Sequence, residues 1–309
     1  LDLAINGQGL FTLKDANGKL HYTRDGQFQF NEKGVLVNNV DKSRVMALDT
    51  KGNFNELSIN SLKVNPGKAT SLVKFNGNLS STANEQVVEG INVFDAVGGQ
   101  QTLTAKFIND SATTPGSWKV TLLNGTTTVG TGSILFANGL PDAARSVFTV
   151  NYTVVGQKAI PITLDFSNNV TSFASGDLST LASASQDGYA PGALTKIAFD
   201  ESGTLITTYA NGQTSKGQRL ALGRADSQDA LVQNGSNQFD VVNGTSWHVG
   251  YASSDAFGSV QSGMVEISNV DLSEQFSDLV IMQRGYQASS QIVSTANEML
   301  QELFNMKGK

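Results

Sequence analysis

The side chains suited to chemistry are few and scattered. The chain has two histidines, His21 and His248, and no cysteine, which excludes thiolate metal sites, disulfides and a cysteine nucleophile. A serine nucleophile working with either histidine needs a strained Gly-x-Ser-x-Gly elbow, and that pattern does not occur. Gly7-Gln8-Gly9 begins like a dinucleotide fingerprint, but the third glycine is missing and a strand pattern follows where a helix must start. Acidic pairs are common, yet none stands on a recognisable glycosidase scaffold. The run [Asp/Asn]-x-x-Gly-x-apolar recurs from Asp15 to Leu20, Asn31 to Leu36, Asp49 to Phe54 and Asp200 to Leu205. Each copy offers one or two oxygen ligands and no bidentate glutamate at position twelve, too few for calcium. The pattern instead suits a type I turn whose glycine takes the left-handed conformation before the next strand. Trp118 and Trp247 could form a sugar platform or fill β cores. No catalytic residue, cofactor or metal follows from these residues.

The elements around them are mostly strands. Hydrophobic residues make up 39% of the chain and charged ones 16%, with 31 glycines, the composition of a polar, turn-rich β protein. Residues 1–60 alternate with period two: Leu3 to Ile5, Leu10 to Leu13, Leu20 to Thr23, Phe28 to Phe30. Composition shifts at Ser80 to Glu85. Beyond it Val87 to Phe94, Gln101 to Ile108, Trp118 to Leu123, Gly132 to Phe136, Ser146 to Val155 and Ile160 to Phe166 read as strands of a β-sandwich or small barrel. A Ser-rich stretch, Ser172 to Ser185, leads out, and residues 186–260 return to the turn grammar of the opening. The expected fold is therefore mainly β with a long C-terminal α-helix. Residues 1–82 plus 184–262 form a discontinuous β domain, 83–183 an inserted outer β-sandwich or barrel-like domain, and 263–309 a terminal coiled-coil-like helix.

That helix starts after Ser268-Asn269-Val270, where Asp271 suits the N-cap and Glu274 a capping-box-like position. Leu272, Leu279, Tyr286, Val293 and Leu300 repeat every seven residues, with Met282, Ala296 and Leu303 three positions after three of them and Phe276 beside the row. This is a seam that needs a partner, and no other stretch has comparable helical periodicity, so the partner is expected outside this sequence or in another copy. Net charge is −6, with basic residues dispersed, which argues against nucleic acid as partner. No apolar run approaches a membrane span and no signal peptide is visible. The start at Leu1 without a methionine suggests a preceding segment.

Both ends resemble one family. Leu1-Asp2-Leu3-Ala4-Ile5-Asn6-Gly7-Gln8-Gly9-Leu10-Phe11 and Tyr22-Thr23-Arg24-Asp25-Gly26-Gln27-Phe28 are similar to the opening shared by bacterial flagellar hook and rod axial proteins. Ser268-Asn269-Val270-Asp271-Leu272 and Gln283-Arg284-Gly285-Tyr286-Gln287 resemble their terminal helix motif. The motif positions are Asn6, Gly7, Gly9, Phe11, Tyr22, Arg24, Gly26, Asn269, Asp271, Gln283, Arg284 and Gln287. Val93 to Gly99 and Gln186 to Leu194 are similar to hook segments that the distal rod protein lacks, which favours hook. Leu10, where the family often has an aromatic residue, and Gly285 before Tyr286, a pairing also found in rod members, depart from that pattern and keep the rod open. The resemblance implies a non-enzymatic subunit that assembles with itself into a curved, flexible tube, a universal joint carrying motor torque from rod to filament. It further implies contacts with rod, hook cap and hook–filament junction proteins, an N-terminal helix pairing with the C-terminal one, and export by the flagellar type III apparatus to the extracellular flagellum without a cleaved signal peptide. Neither nucleic acid nor membrane insertion is implied. A secreted β-rich adhesin or carbohydrate-binding module is the alternative from another class.

Overall fold

The computed structural model describes the chain except residues 50, 243–245, 255, 267–269 and 308–309, and omits the side chains of Gln228 and Lys307. It divides into two units, Leu1–Met264 and Val265–Lys309.

The first unit is almost entirely strand and turn. Its four repeated turns close in the same way: the Gly18, Gly34, Gly52 and Gly203 amides donate to the carbonyls of Asp15, Asn31, Asp49 and Asp200. The glycines have φ of +90°, +68°, +82° and +70°, a region in which a Cβ is strained. The leading side chain completes each turn, as when Asp200 Oδ1 accepts the amides of Ser202 (3.0 Å) and Thr204 (2.8 Å). The oxygens that a cation would need are spent on backbone N–H groups.

Those bonds carry a pH dependence. At Asp200 and Asp95 burial pulls the carboxyl upward, but the N–H and O–H donors around it outweigh burial and hold both below the ordinary value of 3.8. Asp49, bonded by the Asn53 side chain and amide, is lowered too. A depressed folded value stabilises above the unfolded one and is lost as pH falls through it. The melting temperature of the first unit is expected to stay level from neutral pH to about pH 5 and to fall below about pH 4. A fall that began near neutrality would show that other groups control acid stability.

Two hydrophobic cores form. The first joins the two ends of the unit: Leu3, Phe11, Phe28, Val45 and Leu57 pack with Phe199, Leu205, Leu220, Leu222 and Val260. Its main sheet is curled and many-stranded, and pairs Leu10–Lys14 with Leu222–Ala225 and Arg44–Leu48 with Thr214–Leu220. Strands from both ends of the unit therefore share this sheet by direct pairing. The second core runs from Val73 to Leu181 and includes Trp118, Phe75, Phe107 and Phe166; the three phenylalanine rings stack or meet edge to face. It lies between an antiparallel meander, Glu85–Phe94 to Leu140–Pro141, and a second sheet holding Val147–Tyr152 and Ile160–Asp165.

That second sheet also contains Leu72–Asn78, a strand in the stretch the sequence assigns to the flanking domain. It pairs parallel with Ile160–Asp165 and antiparallel with Ala182–Gln186. The latter strand, Ala-Ser-Ala-Ser-Gln, has no large apolar residue to betray it, and neither face of it is fully buried.

Candidate assembly surfaces

The opening motif builds a joint within the first unit. Asn6 ends the strand Leu3–Asn6, which pairs with Ser259–Ser262. Gly7 follows with φ +113°, and a Cβ there would lie 2.9 Å from Gly258 Cα. Gly9 has φ +127°, against Phe257 and Leu222. The Arg24 guanidinium donates to the Ile5 carbonyl (3.1 Å) and the Gly7 carbonyl (2.8 Å), pinning the bend between the first two strands. Gly26 faces the backbone of Leu3, whose amide donates to the Gly26 carbonyl. Phe11 is fully buried, edge-on to Phe28 at 5.2 Å. Tyr22 packs on Trp247, ring centroids 4.1 Å apart. The motif is thus structural: it ties the start of the chain to the strand that precedes the helical unit, and the Gly263 amide donates to Asp2 O (2.7 Å).

The remaining chemistry-capable residues are also spent on structure. His21 is buried, with Nδ1 2.6 Å from Asp240 Oδ1, while Lys19 Nζ donates to the other oxygen at 2.6 Å. Burial would raise Asp240, but Lys19 and His21 hold it below the usual carboxylate range. The cluster fastens Gln238–Val241 beside Leu20–Thr23. His248 is exposed beside Asp226. Trp118 is 1% exposed inside the second core, which removes it as a sugar platform. The Trp247 indole covers Gly223, where a Cβ would come within 2.1 Å of the ring.

In the second unit, helix α1 runs over Leu272–Lys307, 36 residues, about 54 Å at 1.5 Å per residue. Asp271 Oδ1 accepts the Ser273 amide at 2.8 Å and the Glu274 amide at 3.4 Å, an N-cap as the sequence predicts. Asn269 and Ser268 lie outside the described residues. Leu272, Phe276, Leu279, Met282, Tyr286, Val293, Ala296, Leu300 and Leu303 are all exposed, as are Gln283, Arg284 and Gln287. At Gly285 a Cβ would meet nothing within 4 Å. Ile281, Ala288, Ile292, Met299 and Met306 are exposed as well. At about 100° per residue they fall within about 40° of one another and more than about 100° from Leu279, Tyr286 and Val293. The helix therefore carries a second apolar row, itself spaced by sevens at Ile281 and Ala288 and at Ile292, Met299 and Met306.

Comparison with known proteins reads the same two regions. Residues 4–70 match the family described as flagellar hook protein FlgE/F/G D1 domain, and residues 261–306 match flagellar basal body rod FlgEFG protein C-terminal. The flagellar hook protein FlgE of Borreliella burgdorferi is 27% identical, over 99% of this chain and 79% of its own length. That of Escherichia coli is 27% identical over 99% and 82%, and that of Treponema pallidum 29% over 99% and 80%. Both matched families and all three relatives are flagellar hook or rod axial proteins, and it is these that the chain is similar to. The D1 match of the family stops at residue 70, where the chain passes to the second core, and the C-terminal match begins within Ser259–Ser262, the strand paired with the opening motif. In fold the chain is similar to the crystal structure of Helicobacter pylori flagellar hook protein FlgE2, with TM-score 0.64 and 13% identity over 86% of this chain and 98% of that one.

Proposed function

We propose that the chain is a structural, non-enzymatic subunit of a bacterial flagellar hook, assembling with copies of itself into a curved, flexible tube that transmits torque from rod to filament. The observation that carries this reading is that hook proteins align along 99% of the chain, the second core included. Both family models, by contrast, describe hook and rod members together. The exposed rows of α1 supply the driving force. Each Leu, Ile or Val they bury between copies contributes about 1.5–3 kcal/mol, and head-to-tail contacts that do not close generate an open helical polymer. Leu272, Phe276, Leu279, Met282, Tyr286, Val293, Ala296, Leu300 and Leu303 form one buried row of that polymer, and the row through Ile281 and Ile292 a second. Asp271, Gln283, Arg284 and Gln287 are the polar positions of the same helix.

The organisation we favour is a discontinuous β domain, an inserted outer domain and the helix, with the insertion opening at Leu72 rather than at residue 83, because Leu72–Asn78 pairs inside the insertion's sheet. The tube's ends would meet rod, hook cap and hook–filament junction proteins. The subunit would leave the cell unfolded through the flagellar type III apparatus, without a cleaved signal peptide, to reach the extracellular flagellum. Among the described residues no helix is long and apolar enough to cross a membrane.

Electron microscopy of the complete gene product tests this reading. Tubes are expected from the intact protein, and straighter tubes when residues 72–186 are replaced by a short Gly-Ser linker, since the wet, polar contacts of outer domains that slide around a bend are then missing. Dispersed monomers under every polymerising condition would refute the assembly role. Curvature unchanged by the deletion would refute the part given to the insertion.

A further inference from the structure

The chain crosses from the first core to the second and back as one two-stranded ribbon. Ala193 and Gly192 pair with Val64 and Asn65 in the first sheet. Lys68 and Tyr189 exchange both backbone bonds (2.9 and 3.0 Å) in the neck. Gln186 and Ser185 pair with Val73 and Lys74 in the second sheet. A neck of bare backbone would bend, but this one is cross-braced. Asp187 Oδ1 accepts the amides of Ser71 (2.8 Å) and Leu72 (2.9 Å), and Oδ2 accepts the Ser71 hydroxyl (2.7 Å) and Lys68 Nζ (2.8 Å). Burial would raise this carboxyl, yet Lys68 and Ser71 hold it well below the usual range, which marks the four bonds as favourable to the ionised form.

A second brace reaches out of the insertion. Thr70, 1% exposed, receives the Phe94 amide on Oγ1 (2.8 Å), donates its own amide to Phe94 O (2.9 Å), and bonds Gln186 through its hydroxyl (3.1 Å). The turn after Phe94 then lies against the neck. A Cβ on Gly98 would come within 2.1 Å of Pro191 Cδ, and one on Gly67 within 3.1 Å of Gly98 Cα. Three segments thus meet with only the Pro191 ring between them, and the proline removes the softness that φ of a free residue would give.

We propose that Asp187 is a positioning residue which, with Thr70 and the Gly67–Gly98–Pro191 contact, makes the neck a rigid joint and holds the insertion at one fixed angle on the first core. The joint does not depend on the hook reading; its consequence does. In a bending hook, the change of shape would fall at contacts between subunits and not at a hinge within each one.

Because the chain lacks cysteine, spin labels can be placed by single substitutions. Lys33→Cys with Thr126→Cys measures across the two cores, and Thr126→Cys with Ala143→Cys measures within the insertion. Every measurement uses the unassembled full chain and electron–electron distance distributions. In the parent chain the distribution across the cores is expected to be as narrow as that within the insertion. Asp187→Ala should widen it about twofold and leave the control unchanged, as a released hinge does. Asp187→Asn, which keeps an acceptor for the two amides, should widen it less. Should Asp187→Ala fold poorly, Thr70→Val and Gly98→Ala attack the same joint from the other side and should widen the same distribution. A parent distribution already broad, or widths unmoved by these substitutions, would overturn the proposal. Neither result would touch tube formation, so failure here is distinct from failure of the hook reading.

Discussion

Leu279→Asp together with Val293→Asp is expected to abolish tube formation while the β unit melts at its original temperature. Both residues are exposed on α1, so a carboxylate at either position meets water in the unassembled chain and costs little. In the polymer the same carboxylates enter an apolar contact without partners, a change worth several kcal/mol for each group and repeated at every subunit. Sedimentation and electron microscopy read the assembly, and circular dichroism reads the β unit. Ile281→Asp with Ile292→Asp extends the test to the second row. If α1 is covered on two sides, this pair is as damaging as the first. Normal tubes from either pair would show that its row faces water in the polymer.

Gly26→Ala is expected to be the most damaging single methyl in the first unit. The new Cβ would stand 1.8 Å from the Leu3 carbonyl oxygen and 2.7 Å from its carbon, and neither atom can swing aside as a side-chain tip does. Relief requires moving Leu3–Asn6, which breaks the Leu3-to-Gly26 bond, the Arg24 clamp on Ile5 and Gly7, and the pairing with Ser259–Ser262. A loss on the order of 3 kcal/mol or more follows, the range of backbone clashes and broken buried networks. Gly125→Ala is the control: φ is +59° there, but nothing lies within 4 Å, so only the left-handed strain of about 1 kcal/mol remains. Equal melting temperatures for the two variants would show that the opening motif does not hold the strand in place.

Local structure was legible wherever one short segment contains its own cause. The four Asp/Asn-to-glycine turns, the meander strands up to Asn124, and the Asp271 cap all depend on residues within a few positions of each other, and all occur as the pattern predicts. Strand bounds drifted where side chains carry little signal. The strand expected from Gly132 begins at Thr127, because Thr127, Thr128 and Gly130 are polar or small yet pair with Asn124, Leu123 and Leu122 across a register shift at Val129. The seam of α1 could be read from spacing, and its second row was open to the same reading, since Ile292, Met299 and Met306 also repeat by sevens. For Trp118 the sequence favoured a core role over a sugar platform, and its burial agrees with that.

By itself, then, the sequence determined the strand-and-turn grammar, the capped helix with an unpartnered apolar row, and the family likeness at both ends. Each is written in neighbouring residues or in a fixed period. Tertiary structure alone decided that the opening motif is a structural joint, that Leu72–Asn78 pairs in the sheet of the second core, and that the two cores are linked by a braced ribbon. Those features depend on contacts such as Asp187 with Ser71, Arg24 with Ile5 and Gly98 with Pro191. Separations along the chain of this kind leave no local pattern to read, and such residues acquire their meaning only when the fold brings them within bonding distance.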